Sequence, residues 1–286
     1  MDAERRTKIA TALQQYRETV LQHNFLLMRL VIEGVEAQAV PPNCPQEIAD
    51  RLRIKELKDH YIRSIPKNIT SPRDLLNDDV RADVISHYDL DGVSNLPVNL
   101  NERQEYFVGL RANIPESVEV AEFPPPDLEY LCTLVSAVTG PGLPCYRQHQ
   151  QTNFISSIEE LGMKVMTEYI FVPNRDSEGG EGDCPLMGLW EDWKIALAFG
   201  IGDGPQDAEW AGSYALYCRR EDDEERKWRY GLHDDGWQSD VYDSVEEFLG
   251  FYAHCKEQTE EEVRKDELLS NNRVLGVVKF APRKSG

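Results

Sequence analysis

A histidine and several aspartates lie close together near residue 235 and have the clearest potential for chemistry. The segment HDDG contains His233, Asp234 and Asp235, and Asp240 follows shortly after it. Imidazole and carboxylate groups serve as metal ligands and as acid–base catalysts, but a metal site needs at least three ligands converging from rigid elements. DDG is also an ordinary turn sequence. We therefore predict no metal and no cofactor, and keep an enzyme of unknown class with a site near residues 233–240 as an alternative.

Other motifs that could carry chemistry are weaker. Cys145 precedes His149 by four residues, but a Cys–His pair also needs hydrogen-bond contact and a third, orienting group. The segment GIGDGP, residues 200–205, is not followed by the lysine of a phosphate-binding loop and does not open a helix. It predicts a hairpin turn whose glycines adopt positive φ. Neither GxSxG nor HExxH is present, so we predict no catalytic residue.

The five tryptophans all lie within residues 190–237. Trp193 and Trp228 alternate with aliphatic residues and are predicted to be part of a core, whereas Trp210 and Trp237 fall in loops among acids. Exposed tryptophans on an acidic rim are typical of protein-binding hot spots, although they can equally close the ends of a small core. The sequence predicts a binding face formed by Trp210, Asp234, Asp235, Trp237 and Asp240.

The charge of the chain narrows the kind of partner. The formal net charge is −20; residues 1–60 contain nine basic and nine acidic side chains, and residues 121–255 contain nine basic and 26 acidic ones, a net of −17. Nucleic acids and anionic membranes require clustered Lys and Arg. The sequence therefore predicts no nucleic-acid and no membrane partner. It favours a basic protein partner or basic ligand, unless the charge serves only solubility.

The setting expected from the sequence is the cytoplasm, with the nucleus as a second possibility. The first 20 residues are charged and lack the apolar run of a secretory signal, and no stretch approaches about 18 apolar residues. Six cysteines at wide, irregular spacings predict free thiols in a reducing compartment.

Helical periodicity dominates the first third of the chain. Apolar residues from Ile9 to Leu30 recur at spacings of four and three, which predicts a long helix that ends near Gly34. A second helix is expected from about Pro45 to before Pro66, and a third from SPRDLL towards His87. The segment PPPDLEYLCTLVSAVTGPG predicts a further helix that ends at GPG.

Strand periodicity follows residue 165. VMTEYIFVP predicts a strand, and WKIALAFG, SYALYCRR and KWRYGLH alternate with period two, which predicts an antiparallel meander. In WKIALAFG we expect Trp193, Ile195, Leu197 and Phe199 to share one face. DSVEEFL then contains a capping box of Ser244 and Glu247 and predicts a helix.

The order WKIALAFGIGDG, SYALYC, DSVEEFL resembles the C-terminal half of the SUKH superfamily, the fungal cell-wall-assembly regulators and bacterial toxin-immunity proteins. The similarity covers roughly residues 120–255, where PPPDLEYLCTLVSAVTG corresponds to an early helix of the family. GPGLP replaces the usual NG, and the helical first third has no counterpart. The resemblance implies an α+β fold and a binding scaffold without catalytic residues, often directed at basic toxins or signalling partners.

The sequence as a whole predicts an α+β protein. We expect a helical region over residues 1–88, a connector over 89–126 and an α+β domain with an antiparallel meander over 127–286. The leading function is non-enzymatic, regulatory protein binding. The enzyme near residues 233–240 and a small-ligand binding protein that uses the aromatic sheet face are the alternatives, and the oligomeric state is left open.

Overall fold

The computed structural model describes residues 1–157, 170–171, 189–204, 211–234, 236–265 and 275. Within these ranges the chain forms α-helices, one 3₁₀ helix over Pro72–Leu76 and a five-stranded sheet. The α+β class predicted from the sequence is confirmed. The helices are α1 Ala3–Ala37, α2 Gln46–His60, α3 Arg81–Tyr88, α4 Leu100–Asn113, α5 Pro126–Leu134, α6 Pro144–Gln150, α7 Val245–Tyr252 and α8 Glu260–Lys265. The strands are β1 Ile170–Phe171, β2 Trp193–Asp203, β3 Gly212–Arg220, β4 Lys227–Asp234 and β5 Trp237–Gln238.

The sheet is an antiparallel meander with strand order β1-β2-β3-β4-β5. Short sequence separation between neighbouring strands allows each pair to be joined by a turn. The meander predicted from three period-two segments is therefore confirmed. Of the predicted strand VMTEYIFVP, only Ile170 and Phe171 fall within the described residues.

The face alternation predicted for β2 is wrong, because a β-bulge interrupts it. Ile195 pairs with Cys218 and Leu197 pairs with Tyr217, so the register shifts at residue 196. Trp193 and Ile195 consequently pack on the face that carries Tyr214, Leu216 and Cys218, whereas Phe199 packs on the opposite face. A bulge adds one residue to one strand and so exchanges the faces of all residues beyond it.

The turn predicted for residues 200–205 is also wrong in its first half. Gly200 and Gly202 lie inside β2, and neither has a positive φ. A Cβ at Gly202 would lie 2.0 Å from the carbonyl oxygen of Asn153, whose amide donates to the Asp203 carbonyl over 2.6 Å. Gly202 is therefore needed for the close approach of another backbone rather than for a turn.

The chain divides into two compact units. Unit 1 comprises residues 1–21, 91–141 and 147–256, and unit 2 comprises residues 22–90, 142–146 and 257–286. Helix α1 contributes residues to both. The predicted boundaries at residues 88 and 126 stay predictions.

The core of unit 1 lies between one face of the sheet and the helices. The first half of α1 contributes Tyr16, which stacks on Tyr252 of α7 with ring centroids 6.2 Å apart. Phe154 stacks on Phe248 at 4.2 Å and meets Tyr230 of β4 edge to face. Such aromatic pairs add about 0.5–1.5 kcal/mol each to the free energy gained by burial. This packing fixes α7 against the sheet.

Unit 2 contains α2, α3 and the second half of α1, with Leu27, Leu57 and Val84 buried. Asn24 is fully buried; its side-chain amide donates to the Leu90 carbonyl and its oxygen accepts from the Gly142 amide. The helix predicted from SPRDLL to His87 is two elements, because Asn77 is extended and the polar residues 77–79 favour a turn.

Helix α5 ends earlier than predicted, at Leu134 rather than at GPG. Val138 instead pairs with Ile155: its amide donates to the Ile155 carbonyl over 2.9 Å, and its carbonyl accepts from Phe154. Pairing with a neighbouring extended segment thus replaces the last helical turn. None of the described helices combines the length and apolarity that a bilayer span requires.

Candidate functional site

The predicted binding residues lie around the β4–β5 hairpin of unit 1. Asp234, the last residue of β4, pairs across the hairpin with Trp237, and Gly236 between them has φ +76°. The chain then turns back beside β4, where Tyr242 exchanges two main-chain hydrogen bonds with Tyr230. Trp210 and Asp235 lie outside the described residues. The structure therefore places three of the five predicted residues, Asp234, Trp237 and Asp240, in one short segment.

Trp237 belongs to a row of partly exposed aromatic rings. Its side chain is 42% exposed, and its ring stacks on Phe251 of α7 with centroids 6.3 Å apart and an interplanar angle of 22°. Phe251 stacks in turn on Tyr242 at 4.9 Å and 22°. We call Trp237, Phe251 and Tyr242 the aromatic row. Because the indole stacks on Phe251, which in turn stacks on Tyr242, its orientation is restricted before any partner binds.

An exposed acid lies beside the aromatic row. Asp240 is exposed, and its negative charge acts on the Tyr242 hydroxyl. Burial, with a contribution from Asp240, raises the pKa of Tyr242 to about 12. The tyrosine is thus neutral at physiological pH, and Asp240 supplies the charge of this segment.

Three further acids near the row have a basic partner among the described residues. Asp234 forms an ion pair with Lys256, and Asp243 forms one with Arg229. Glu246 pairs with Arg5, whose Nε also donates to Asp127 over 3.0 Å. These carboxylates are therefore engaged within unit 1.

The other described tryptophans have structural roles. Trp190 is buried and donates from Nε1 to the Ser239 carbonyl over 2.7 Å, and Trp228 donates to the Glu122 carbonyl over 2.7 Å. Trp193 lies under Arg229, whose guanidinium carbon is 4.6 Å from the ring centroid. The prediction that Trp193 and Trp228 pack against a core is confirmed.

The alternative site near residues 233–240 is described in part. The main chain of His233 lies in β4 and pairs with Gln238 and Gly212, and the Asp234 carboxylate forms an ion pair with Lys256. Within the part of the chain that the structure describes, no three His, Cys, Asp or Glu side chains are grouped to hold a metal ion. The side chain of His149 lies outside the described residues, so the proximity of Cys145 and His149 stays untested.

The buried thiols are poorly suited to nucleophilic attack. Burial raises the pKa of Cys218 to about 12 and that of Cys255 to about 11. A thiolate is the reactive form, and these groups are protonated at neutral pH. The five cysteines within the described residues are free, as their spacing predicted.

Sequence reasoning missed Phe251 and Lys256 as parts of this site. Phe251 could have been found from the sequence, because it lies three residues after Phe248 and so shares a face of α7 with it. The pairing of Asp234 with Lys256 depends on the packing of the segment after α7 and has no local sequence signal.

No protein-family model matches this chain, and no curated protein or solved structure matches it. The SUKH resemblance therefore stays a prediction.

Proposed function

We propose that unit 1 is a non-enzymatic protein-interaction module, of the SUKH type that its sequence resembles, and that it binds a basic protein through the aromatic row and Asp240. The observation that carries this proposal is the 42% exposure of Trp237 on top of two stacked rings. A large apolar side chain left in solvent, while the other described tryptophans are engaged, supports a role outside the folded core.

The physical properties of the row suit an interface. Tryptophan and tyrosine bury much surface at a low entropic cost and dominate binding hot spots. Since the stacked rings restrict the indole rotamers, less side-chain entropy is lost on binding. Asp240 adds an exposed negative charge that attracts a basic partner and speeds association.

The acid excess supports the class of partner. Residues 121–255 have a net charge of −17, and of the cations that pair with their acids beside the aromatic row, only Arg5 and Lys256 lie outside this range. The proposal therefore includes a basic protein, no nucleic-acid partner, and a regulatory role in the cytoplasm or nucleus.

The test is affinity capture at low and high salt, followed by binary binding measurements with the purified partner. We expect a basic partner whose affinity falls with salt, because attraction between exposed charges is screened. Trp237→Ala should weaken binary binding by a factor of about 30 or more, since hot-spot truncation costs about 2 kcal/mol or more. Asp240→Asn should mainly slow association.

The matched control is Val108→Ala, which alters a 63% exposed apolar residue on α4. It should leave the affinity unchanged. The proposal would be contradicted if Trp237→Ala and Val108→Ala lowered the affinity equally. It would also be contradicted if the affinity changed neither with Trp237→Ala nor with the salt concentration.

A further inference from the structure

Arg103 of unit 1 is a buried cation whose hydrogen-bond partners, among the described residues, are neutral carbonyls. The residue is 7% exposed, and its Nη2 donates to the Ser136 carbonyl over 2.9 Å and to the Ser156 carbonyl over 3.3 Å. Among the described residues, no carboxylate is within ion-pair distance of its guanidinium. A buried charge with no counter-charge is costly.

Arg229 shows how the same unit compensates a buried guanidinium elsewhere. Arg229 is 4% exposed, binds the carboxylates of Asp223 and Asp243, and donates to the Cys218 carbonyl over 2.7 Å. It also lies over the Trp193 ring. Burial is thus nearly equal at the two arginines, but only Arg229 has carboxylate partners within the described ranges.

A cavity of about 540 Å³ adjoins Arg103. Ser136 lines this cavity and is 8% exposed, and its Oγ has no hydrogen-bond partner among the described residues. Ser157, 6% exposed, is a further lining residue. A buried hydroxyl without a partner is uncommon in native proteins and indicates a missing hydrogen-bonding group.

The cavity also lies at the N-terminus of α4, a helix of 14 residues capped by Asn99. The first-turn amides of a helix carry partial positive charge and favour an anion. Three features therefore favour an anionic ligand in this cavity: the buried guanidinium, the hydroxyl without a partner among the described residues, and the N-terminus of α4.

The exposed lining of the cavity is partly apolar and partly polar. Leu96 and Leu100 line it and are 51% and 54% exposed, and the exposed side chains of Asn99 and Asn101 line it as well. Glu102, an exposed acid, is the only carboxylate among the described lining residues and opposes a second negative charge on a ligand. One cation, with two exposed leucines beside it and a carboxylate nearby, fits a monoanion with an apolar group better than a phosphate dianion.

We propose that this cavity binds a monocarboxylate that carries an apolar group. The carboxylate accepts hydrogen bonds from Arg103 and from the Ser136 hydroxyl, and the apolar group packs on Leu96 and Leu100. Bidentate binding of carboxylates is a characteristic use of arginine. The site is independent of the aromatic row, so either proposal can fail without the other.

Calorimetric titration of the full chain with hexanoate tests the proposal. We expect a dissociation constant on the order of 0.1–1 mM, as ligand efficiencies of small molecules allow. Hexanol and hexylamine, which keep the chain but lose the anion, should not bind, and inorganic phosphate should bind more weakly than hexanoate. The carboxylate could belong to a small free acid or to the carboxyl terminus of a peptide. Comparing hexanoate with a tripeptide that ends in leucine, and with the C-terminal amide of that tripeptide as its control, distinguishes the two sources.

Ser136→Ala is the central variant, because removing a hydroxyl that has no partner in the described part of the chain leaves the fold intact. It should weaken hexanoate binding about tenfold or more, as expected for a lost hydrogen bond to a charged group. Arg103→Gln, checked for folding by circular dichroism, should abolish binding. Thr133→Ala, whose hydroxyl donates to the Tyr130 carbonyl on the exposed side of α5, is the matched control and should bind like the wild type.

Three results would overturn the proposal. The first is equal binding of hexanoate and hexanol, the second is unchanged affinity in Ser136→Ala and folded Arg103→Gln, and the third is no binding of hexanoate or of the tripeptide.

Discussion

The aromatic row and the Arg103 cavity are two regions of unit 1 in which charge is handled in opposite ways. Around the row, acids that the sequence presents as available are paired internally: Asp234 with Lys256, Asp243 with Arg229, and Glu246 with Arg5. At the cavity, a cation that looks ordinary in the sequence is buried beside neutral carbonyls.

This difference shows that charge available for binding depends on internal pairing, not on the number of charged residues. A net charge of −20 suggests a partner with many basic groups, yet several of the described acids near Trp237 are paired internally, while Asp240 is exposed. One buried arginine in an acidic protein can meanwhile provide a site for an anion. Net charge governs solubility and approach, whereas specific recognition depends on a few desolvated groups.

The largest expected effect on stability is that of a glycine substitution, and each region has one glycine to compare. Gly202→Ala should destabilise the chain by about 3 kcal/mol, because its Cβ would overlap the Asn153 carbonyl and displace the segment that presents the Ser156 carbonyl to Arg103. Gly236→Ala has open space around it and should cost only about 1 kcal/mol, for its positive φ. Chemical denaturation gives both values, and a larger loss at Gly236 would refute this ranking.

The two buried arginines provide the next test. Arg229→Met should cost about 2–3 kcal/mol, because it removes the hydrogen bond to the Cys218 carbonyl and leaves the carboxylates of Asp223 and Asp243 without this cation. Arg103→Met should cost about 1 kcal/mol, since the lost carbonyl contacts are offset by removal of an uncompensated charge. Equilibrium unfolding in denaturant measures both. Equal losses would show that Arg103 is compensated within the protein.

Two serines, Ser239 beside the aromatic row and Ser136 at the cavity, should show a smaller difference in the stability lost on substitution by alanine. The Ser239 hydroxyl accepts from the Leu232 amide over 2.9 Å and donates to the Asp240 carbonyl over 2.7 Å, so Ser239→Ala should cost about 1–2 kcal/mol. Ser136→Ala should change stability by less than about 0.5 kcal/mol. Thermal melts of the two variants decide the point; a destabilised Ser136→Ala would mean that its hydroxyl has a partner in the protein.

The smallest effect is in the titration of Tyr242. Its raised pKa of about 12 means that the folded chain holds the hydroxyl proton more tightly than the unfolded chain, whose tyrosines titrate near about 10. This contribution to stability is complete below about pH 10 and is lost as the pH rises through about 12.

Asp240→Asn should lower the pKa of Tyr242, because it removes a neighbouring negative charge. The measurement is a ¹³Cζ tyrosine NMR titration, with Asp222→Asn in the β3–β4 loop as the control. If Asp222→Asn lowered the pKa of Tyr242 as much as Asp240→Asn does, Asp240 would have no specific electrostatic effect on the aromatic row.

Much of the fold could be predicted from local patterns. The meander, α2 and the capping box that opens α7 follow from spacing and from capping residues, and the Ser244 hydroxyl does accept from the Glu247 amide. Helix α1 follows from its spacing too, but the end predicted near Gly34 is wrong, because the helix continues to Ala37. The bulge at residue 196 could not be predicted, because it depends on pairing with β3 rather than on the composition of β2. The prediction for Gly202 was wrong for the same reason, since its neighbour Asn153 is distant in sequence.

The candidate site was predictable in part. Trp237 and Asp240 were identified because their types and predicted loop positions are typical of binding surfaces. The structure leaves Trp237 42% exposed but places it in β5, where it pairs with Asp234, rather than in a loop. The ring that supports Trp237 and the lysine that binds Asp234 come from the region around α7, so only the packed structure brings them together. Arg103 was missed because its burial beside the carbonyls of Ser136 and Ser156, both distant in sequence, leaves no local pattern in α4.

Hydrogen–deuterium exchange of the chain, alone and bound to the purified partner, tests most directly whether the aromatic row is the docking surface. We predict slowed exchange in residues 236–242 and on the Phe251 side of α7, with residues 96–103 unchanged. Protection centred on residues 96–103, with residues 236–242 exchanging as in the free chain, would contradict this assignment.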